Sequence, residues 1–140
     1  MSIKTGEDIL ADDILATAGV AILPLRLNTV DALTTSDADM DWVPEKLNGW
    51  KVDSVVGLCK DASSSGDVTL TVKKNGVSIL TTQITISAGQ TTSLTAPVQP
   101  VIDVSVNTLT TGDRLSAECS GAGTGVTWCT VQLKIILVVP

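Results

Sequence analysis

The second half of the chain, residues 67–139, is a series of short alternating segments separated by strong turn signals. In residues 68–73, for example, Val and Leu alternate with Thr and Lys. The pair Asn75-Gly76 follows directly, and it favours a type I′ hairpin because both residues tolerate a positive φ. Alternating β-branched segments that recur roughly every 8–12 residues predict an all-β protein whose strands each have one polar face.

The same alternation and β-branched content predict strands in the rest of the chain. These predicted strands cover residues 20–29, 50–60, 68–73, 77–80, 83–86, 91–95, 101–106, 114–119 and 126–139. Two antiparallel sheets packed face to face, each with one solvated face, account for this pattern. We therefore expect residues 20–140 to form one antiparallel β-sandwich of jelly-roll type.

Local features refine the prediction for individual segments. Pro24 lacks a backbone N–H, so the strand over residues 20–29 is expected at a sheet edge or at a bend. Residues 34–45 are polar and acidic and predict a long loop. The alternation within residues 50–60 predicts that one face carries Val52, Ser54, Val56 and Leu58.

Residues 1–19 form a separate N-terminal segment, predicted to be either a short helix or an extended arm. Thr5 is a possible N-cap and Gly19 a natural stop, and an apolar stripe lies between them. The stripe consists of Ile9, Leu10, Ile14 and Leu15. A helix this short needs a partner surface to be stable, so these four residues are candidate partner-binding residues.

The composition argues against several classes of function. The chain has no His, and therefore lacks the commonest general base and the commonest metal ligand. Fifteen acidic residues against nine basic ones give a net charge of -6, which disfavours binding to nucleic acid or to an anionic membrane. We expect neither an enzyme nor a cofactor.

Two sets of residues carry side chains of the metal-ligating type. Cys59, Cys119 and Cys129 are odd in number and have no CxxC spacing, so they are expected to be buried, reduced thiols. Asp37, Asp39 and Asp41 resemble the first half of a calcium loop. The sixth position of that loop is Trp42 rather than Gly and the twelfth is Asn48 rather than Glu, which favours a solvated acidic loop. A looser calcium site completed by another loop stays open.

The three Trp residues are the only aromatic side chains. Trp is enriched at interface hot spots, and Trp42 lies in an acidic segment where burial is not obvious. In the last predicted strand, Trp128 alternates with the polar face formed by Val126, Thr130 and Gln132, and it is expected to cover that face at a subunit contact. Trp42 and Trp128 therefore join the candidate partner-binding residues.

The order of turns over residues 50–139 resembles a known group of proteins. Gly57 precedes a Ser/Gly loop, Asn75-Gly76 divides a hairpin, a Thr-Gly-Asp turn follows at residues 111–113, and a Gly-rich turn precedes the last strand. This arrangement is similar to the β-sandwich domains of tailed-bacteriophage virion proteins, especially head-decoration (cement) proteins, head fibres and fibre tips.

The resemblance implies a structural virion protein that binds the major capsid protein as a homotrimer and stabilises the shell. It would lie on the capsid surface after assembly in the host cytoplasm, with no nucleic-acid or membrane partner. The alternatives are a receptor-binding tip domain of a phage fibre and a carbohydrate-binding module.

Overall fold

The computed structural model describes residues 19–137, in which ten β-strands dominate. The strands are β1 (Val20–Arg26), β2 (Ala38–Trp42), β3 (Lys51–Leu58), β4 (Val68–Lys74), β5 (Val77–Ser78), β6 (Leu80–Thr82), β7 (Ile84–Ile86), β8 (Val101–Ile102), β9 (Arg114–Ala122) and β10 (Thr130–Ile136). Single 3₁₀ turns occur at Glu45–Leu47 and Ser93–Thr95. The ladders between these strands are antiparallel, which confirms the predicted all-β class.

The strands form two main sheets with jelly-roll connectivity. The first sheet has the order β1-β10-β3, and the second has the order β2-β9-β4, with β5 and β7 both pairing with β4. Residues 107–109 extend the first sheet beyond β3, since the N–H of Val52 bonds to the carbonyl of Asn107 at 3.0 Å. The first and last strands are thus neighbours in one sheet, and the second and penultimate strands are neighbours in the other. The predicted antiparallel sandwich of jelly-roll type is confirmed.

The connections gather at the two ends of the sandwich. At the loop end, the connections 27–37, 59–67, 87–100 and 123–129 bond to one another, as in the 2.9 Å bond from Gly89 N to Ser63 O. At the turn end, residues 43–50, 75–76 and 110–113 meet, and Asn75 donates to Asp113 Oδ1 at 2.9 Å. The two ends therefore present different groups of loops.

The core lies between the two sheets and is aliphatic. Its fully buried side chains include Leu25, Val52, Leu70, Ile84, Leu115, Leu133 and Ile135. Burying each side chain of this size stabilises the fold by about 1.5–3 kcal/mol. Trp50 is also buried and closes the core near the turn end. The members of this core lie between Ala21 and Ile135 in the sequence.

The prediction that Val52, Ser54, Val56 and Leu58 share one face of β3 was wrong, because Val52 does not share a face with the other three. Val52 and Val55 are buried, whereas Ser54 and Val56 are only partly covered. The cause is a β-bulge: Val52 lies opposite Ile135 and Ser54 opposite Lys134, so Asp53 is an extra residue in β3. The bulge moves the inward face from even-numbered to odd-numbered positions.

The region predicted as a long acidic loop contains a strand, β2. The sequence of β2 does not alternate between buried apolar and exposed polar residues, but its backbone pairs with β9 from Ala38 to Trp42. Asp39 points towards β1 and accepts the Arg26 N–H at 2.9 Å. An inward-pointing charge on an edge strand discourages further strand pairing, which suits the position of β2 at the end of its sheet.

Other predicted bounds also differ from the structure. The last strand was predicted to begin at residue 126, yet β10 begins at Thr130, because Trp128 adopts a left-handed conformation with φ 55°. The predicted strand over residues 91–95 contains a 3₁₀ turn, and that over 101–106 is reduced to the two residues of β8. Pro24 lies in β1, the edge strand of the first sheet as described, which confirms the edge prediction.

Candidate functional site

Of the predicted partner-binding residues, Trp42 and Trp128 fall within the described part of the chain. Ile9, Leu10, Ile14 and Leu15 lie outside the described residues, so their role stays a prediction. The side chain of Trp42 is 55% exposed at the turn end of β2, and that of Trp128 is 45% exposed at the loop end. These two Trp residues therefore belong to different surfaces.

A first exposed apolar surface, the β2 patch, consists of Met40, Trp42 and Arg114. Trp42 lies directly opposite Arg114 in the antiparallel ladder of β2 and β9, and Met40 lies opposite Ser116. All three patch residues are exposed, and their positions alternate with inward-facing residues such as Leu115. The outer face of this sheet edge thus combines two large apolar side chains with a cation.

The acidic residues near the β2 patch bond to backbone N–H groups. Asp37 Oδ2 accepts the Thr34 N–H at 2.9 Å, and Asp41 Oδ1 accepts the Trp42 N–H at 2.8 Å. In residues 19–137 no three Cys, Asp or Glu side chains are grouped so that they could hold a metal ion. The carboxylates of this segment therefore shape and cap β2 itself.

A second surface lies on the opposite side of the sandwich, where β8 runs near β3 without pairing with it. β8 pairs with β6 instead of β3, which leaves an open groove beside the middle of β3. The groove is lined by Asp53, Ser54, Val55 and Val56 on one wall and by Leu94, Gln99, Pro100, Val101 and Ile102 on the other.

The loop that forms the outer wall of this groove is held firmly by hydrogen bonds. Gln99 Nε2 donates to the carbonyls of Ser93 and Ala96, both at 2.8 Å. The buried Ser93 hydroxyl accepts the Gly57 N–H at 2.9 Å and ties the loop to β3. Leu94, which is 66% exposed, is therefore presented to solvent by an ordered backbone.

Next to the groove lies the β8 patch, made of Val101, Asp103 and Val104. Val104 is 78% exposed, the largest exposed fraction among the large hydrophobic side chains of residues 19–137. Asp103 Oδ1 accepts the hydroxyl of Ser105 at 2.6 Å and its N–H at 3.0 Å. These two bonds lower the pKa of Asp103, so it is a carboxylate at neutral pH. This patch was not predicted from the sequence, although Asp-Val-Ser is a typical Asx-turn sequence.

Trp128 lies in the loop before β10 and not in the strand itself. Its left-handed backbone is flanked by a 2.6 Å bond from the Cys129 N–H to Asn28 Oδ1 and by a 3.0 Å bond from the Lys60 N–H to the Thr127 carbonyl. The Thr127 hydroxyl also donates to the Asp61 carboxylate. A bulky residue with positive φ is an unusual conformation, and here the neighbouring loops hold it.

The three cysteines are buried and free, as predicted. Burial raises the pKa of the Cys129 thiol to about 12, and the nearby Cys59 and Cys119 contribute to the increase. The ladder of β3 and β10 pairs Leu58 with Thr130, so Cys59 and Cys129 follow as neighbours on the core side. The three thiols thus fill space in the core near the loop end and remain protonated.

Among the described residues, no helix is long and apolar enough to cross a membrane. Comparison with known proteins finds no matching family model and no matching curated protein. Among solved structures, the chain is similar to a GH26-CBM35 β-(1,4)-mannanase of Podospora anserina, with 15% sequence identity and a TM-score of 0.48. The match covers 87% of this chain and 28% of the mannanase chain. The assignment of the jelly roll therefore rests on the strand order of this chain.

Proposed function

We propose that the protein is a structural component of a tailed-bacteriophage virion, a capsid decoration protein that binds the major capsid protein as a homotrimer. The observation that carries this proposal is the pair of exposed apolar patches on opposite edges of a well-packed jelly roll. Soluble monomers rarely leave several large apolar side chains exposed together, and such patches are typical of protein-protein contacts. The turn pattern of residues 50–139, which resembles virion β-sandwich domains, supplies the virion context.

The surfaces favour a binding role over catalysis. The exposed groups of the β2 and β8 patches are two valine side chains, one thioether, one indole, one guanidinium and one carboxylate. These groups provide contact area and orientation, whereas nucleophilic or acid-base catalysis needs an activated nucleophile beside a base. We therefore propose no reaction and no cofactor for this chain.

In the proposed assembly, the N-terminal segment attaches the trimer to the shell. Each buried Leu or Ile of its apolar stripe stabilises a contact by roughly 1.5–3 kcal/mol, and three linked segments add avidity. The core of the described residues is built from side chains between Ala21 and Ile135, and in this proposal the N-terminal segment is the part that binds the capsid protein.

The test is a capsid-binding experiment with the full chain and with a variant that lacks residues 1–18. We expect the full chain to decorate purified capsids and to raise their resistance to heat. The deletion variant is expected to keep its melting temperature within a few degrees and to lose attachment. A matched control replaces Ile9, Leu10, Ile14 and Leu15 by Ser in the full-length chain and should behave like the deletion. Capsids that retain the deletion variant at full occupancy contradict the role of the segment.

A second candidate function is receptor binding at a fibre tip, favoured by Trp128. An exposed indole held by neighbouring loops at one end of a jelly roll is suited to contact a host protein or glycan. Under this alternative, Trp128→Ala abolishes adsorption to host cells and leaves particle attachment intact. Under the decoration proposal, the same substitution changes neither property. A role as a carbohydrate-binding module would be revealed by Trp128-dependent binding to an immobilised polysaccharide.

A further inference from the structure

The β2 patch and the β8 patch lie on opposite lateral edges of the sandwich. β2 is the terminal strand of the second sheet and is tied to the edge strand β1 through Arg26 and Asp39. β8 lies at the other side, where its partner β6 follows β5. The two patches therefore face away from each other, so within residues 19–137 neither patch covers the exposed groups of the other.

The patches also lie at the same level along the strands. A row of hydrogen-bonded neighbours crosses the second sheet from one to the other. In this row, Asp39 of β2 pairs with Ala117 of β9, which pairs with Val72 of β4. The Val72 carbonyl accepts the Ile79 N–H at 3.0 Å, and the Ile79 carbonyl accepts the Asp103 N–H at 2.8 Å. A rotation about an axis parallel to the strands can thus bring the two patches of neighbouring copies together.

The charges of the patches are complementary. The β2 patch carries the guanidinium of Arg114, and the β8 patch carries the carboxylate of Asp103. Within residues 19–137, neither forms an ion pair, whereas Lys73 pairs with Glu118 and Lys134 with Asp53. Opposite charges that face each other across an interface set its register and exclude wrong partners.

We propose that the β2 patch of one copy binds the β8 patch of the next copy, with Arg114 facing Asp103, and that three such contacts close a ring. Because the two patches differ, the contact is heterologous, and a heterologous contact is complete only in a closed ring or an open filament. Met40 and Trp42 then cover Val101 and Val104 in each contact. This inference rests on the proposed trimer and names the surfaces that form it.

The first test reverses the charges one at a time and then together. Arg114→Glu and Asp103→Arg should each raise the protein concentration at which half of the trimer dissociates by at least about tenfold, consistent with the cost of like charges across an interface. The double variant should restore that concentration to within about threefold of wild type. Lys60→Glu and Asp31→Arg are matched controls on exposed residues outside both patches and should leave it unchanged.

The second test asks whether the contact is heterologous. Trp42→Glu damages only the β2 patch and Val104→Glu only the β8 patch, so each variant alone should sediment as a 14.5 kDa monomer. An equimolar mixture has one intact contact and should form a dimer that does not grow into a ring. Met40→Glu and Val101→Glu form a second pair, for use if either first variant shows a changed circular dichroism spectrum.

The outcomes separate this inference from the proposed function. A wild-type trimer that resists all of these substitutions overturns the assigned surfaces and leaves the trimer of the decoration proposal in place. A wild-type protein that stays monomeric at all concentrations contradicts both. A symmetric dimer, or mixed variants that remain monomeric, contradicts the heterologous ring.

Discussion

Gly57 is the position where a single added methyl group should most clearly reveal how tightly the two sheets pack. It lies on the inward face of β3, opposite Val131. A Cβ atom there would lie 2.9 Å from Ile84 Cγ2, 3.1 Å from Leu70 Cδ1 and 3.3 Å from Ile86 Cδ1. Carbon atoms pack best at about 3.5–4.0 Å, so all three contacts are too short.

The neighbours of Gly57 have little freedom to move. Ile84 is fully buried and β-branched, and its χ1 angle is therefore restricted. Overpacking of this kind costs about 1–3 kcal/mol, and the reduced entropy of the unfolded chain offsets about 0.4–1 kcal/mol of that. We expect Gly57→Ala to lower the free energy of unfolding by about 1–2 kcal/mol, which corresponds to a shift of the urea midpoint by roughly 0.5–1 M.

Urea unfolding at one fixed protein concentration measures this change, and a double-mutant cycle assigns it. In the wild-type background, Ile84→Ala should lower the free energy of unfolding by about 2–5 kcal/mol. In the Gly57→Ala background the same substitution should lower it by at least about 0.5 kcal/mol less, because removing the Ile84 side chain also relieves the clash with the added methyl group. Ser54→Ala, on the outer face of the same strand, is the matched control and should change stability by less than about 0.5 kcal/mol. A Gly57→Ala protein that is as stable as wild type would refute the argument. Stability losses of Gly57→Ala and Ile84→Ala that are strictly additive in the double variant would also refute it.

Three further predictions concern other parts of the fold. The Cys129 pKa is raised from 9.0 to about 12 in the folded state. The unfolded chain therefore loses this proton first, and stability should fall by about 1.4 kcal/mol per pH unit between pH 9 and 12. A Cys129→Ala variant that shows the same slope in alkaline urea titrations contradicts this assignment. Ser63→Ala should cost about 1–3 kcal/mol and speed hydrogen exchange at Thr124, whose N–H bonds to the buried Ser63 hydroxyl at 2.9 Å. An unchanged exchange rate counts against that role. Asn75→Ala should cost about 1–2 kcal/mol in thermal unfolding, because Asn75 has φ 53° and its side chain accepts the Arg114 N–H at 2.9 Å. Asn75→Gly keeps the positive φ without strain, so it should lower the stability of the protein less than Asn75→Ala does.

Local sequence was sufficient to predict several elements, because short-range chemistry determines them. The alternation at residues 68–73 correctly predicted β4, with Val68, Leu70 and Val72 fully buried. Asn75 and Gly76 both have positive φ and join β4 to β5, as the turn type requires. The missing N–H of Pro24 indicated an edge position or a bend, and among the described residues Pro24 lies in the edge strand β1. In each case the physical cause lies within a few residues of the feature that it explains.

Contacts between distant segments decided the remaining features. β2 exists because its backbone pairs with β9, and a backbone ladder at an exposed edge leaves no apolar alternation in the sequence. The bulge at Asp53 depends on the register between β3 and β10, about 80 residues apart, so alternation within β3 alone gave the wrong face.

The two patches could not be predicted from the sequence for the same reason. Trp42 was singled out by residue type, but its neighbour Arg114 lies in β9 and is brought beside it only by strand pairing. Val101 is exposed on β8, which pairs with β6 instead of β3. Val104 is exposed in the following turn, which the Val106 N–H closes by bonding to the Asp103 carbonyl at 3.2 Å. The sequence by itself therefore determined the class of fold and its tight turns. Only the tertiary structure decided which apolar side chains the sandwich leaves on its surface, because burial depends on which strands become neighbours.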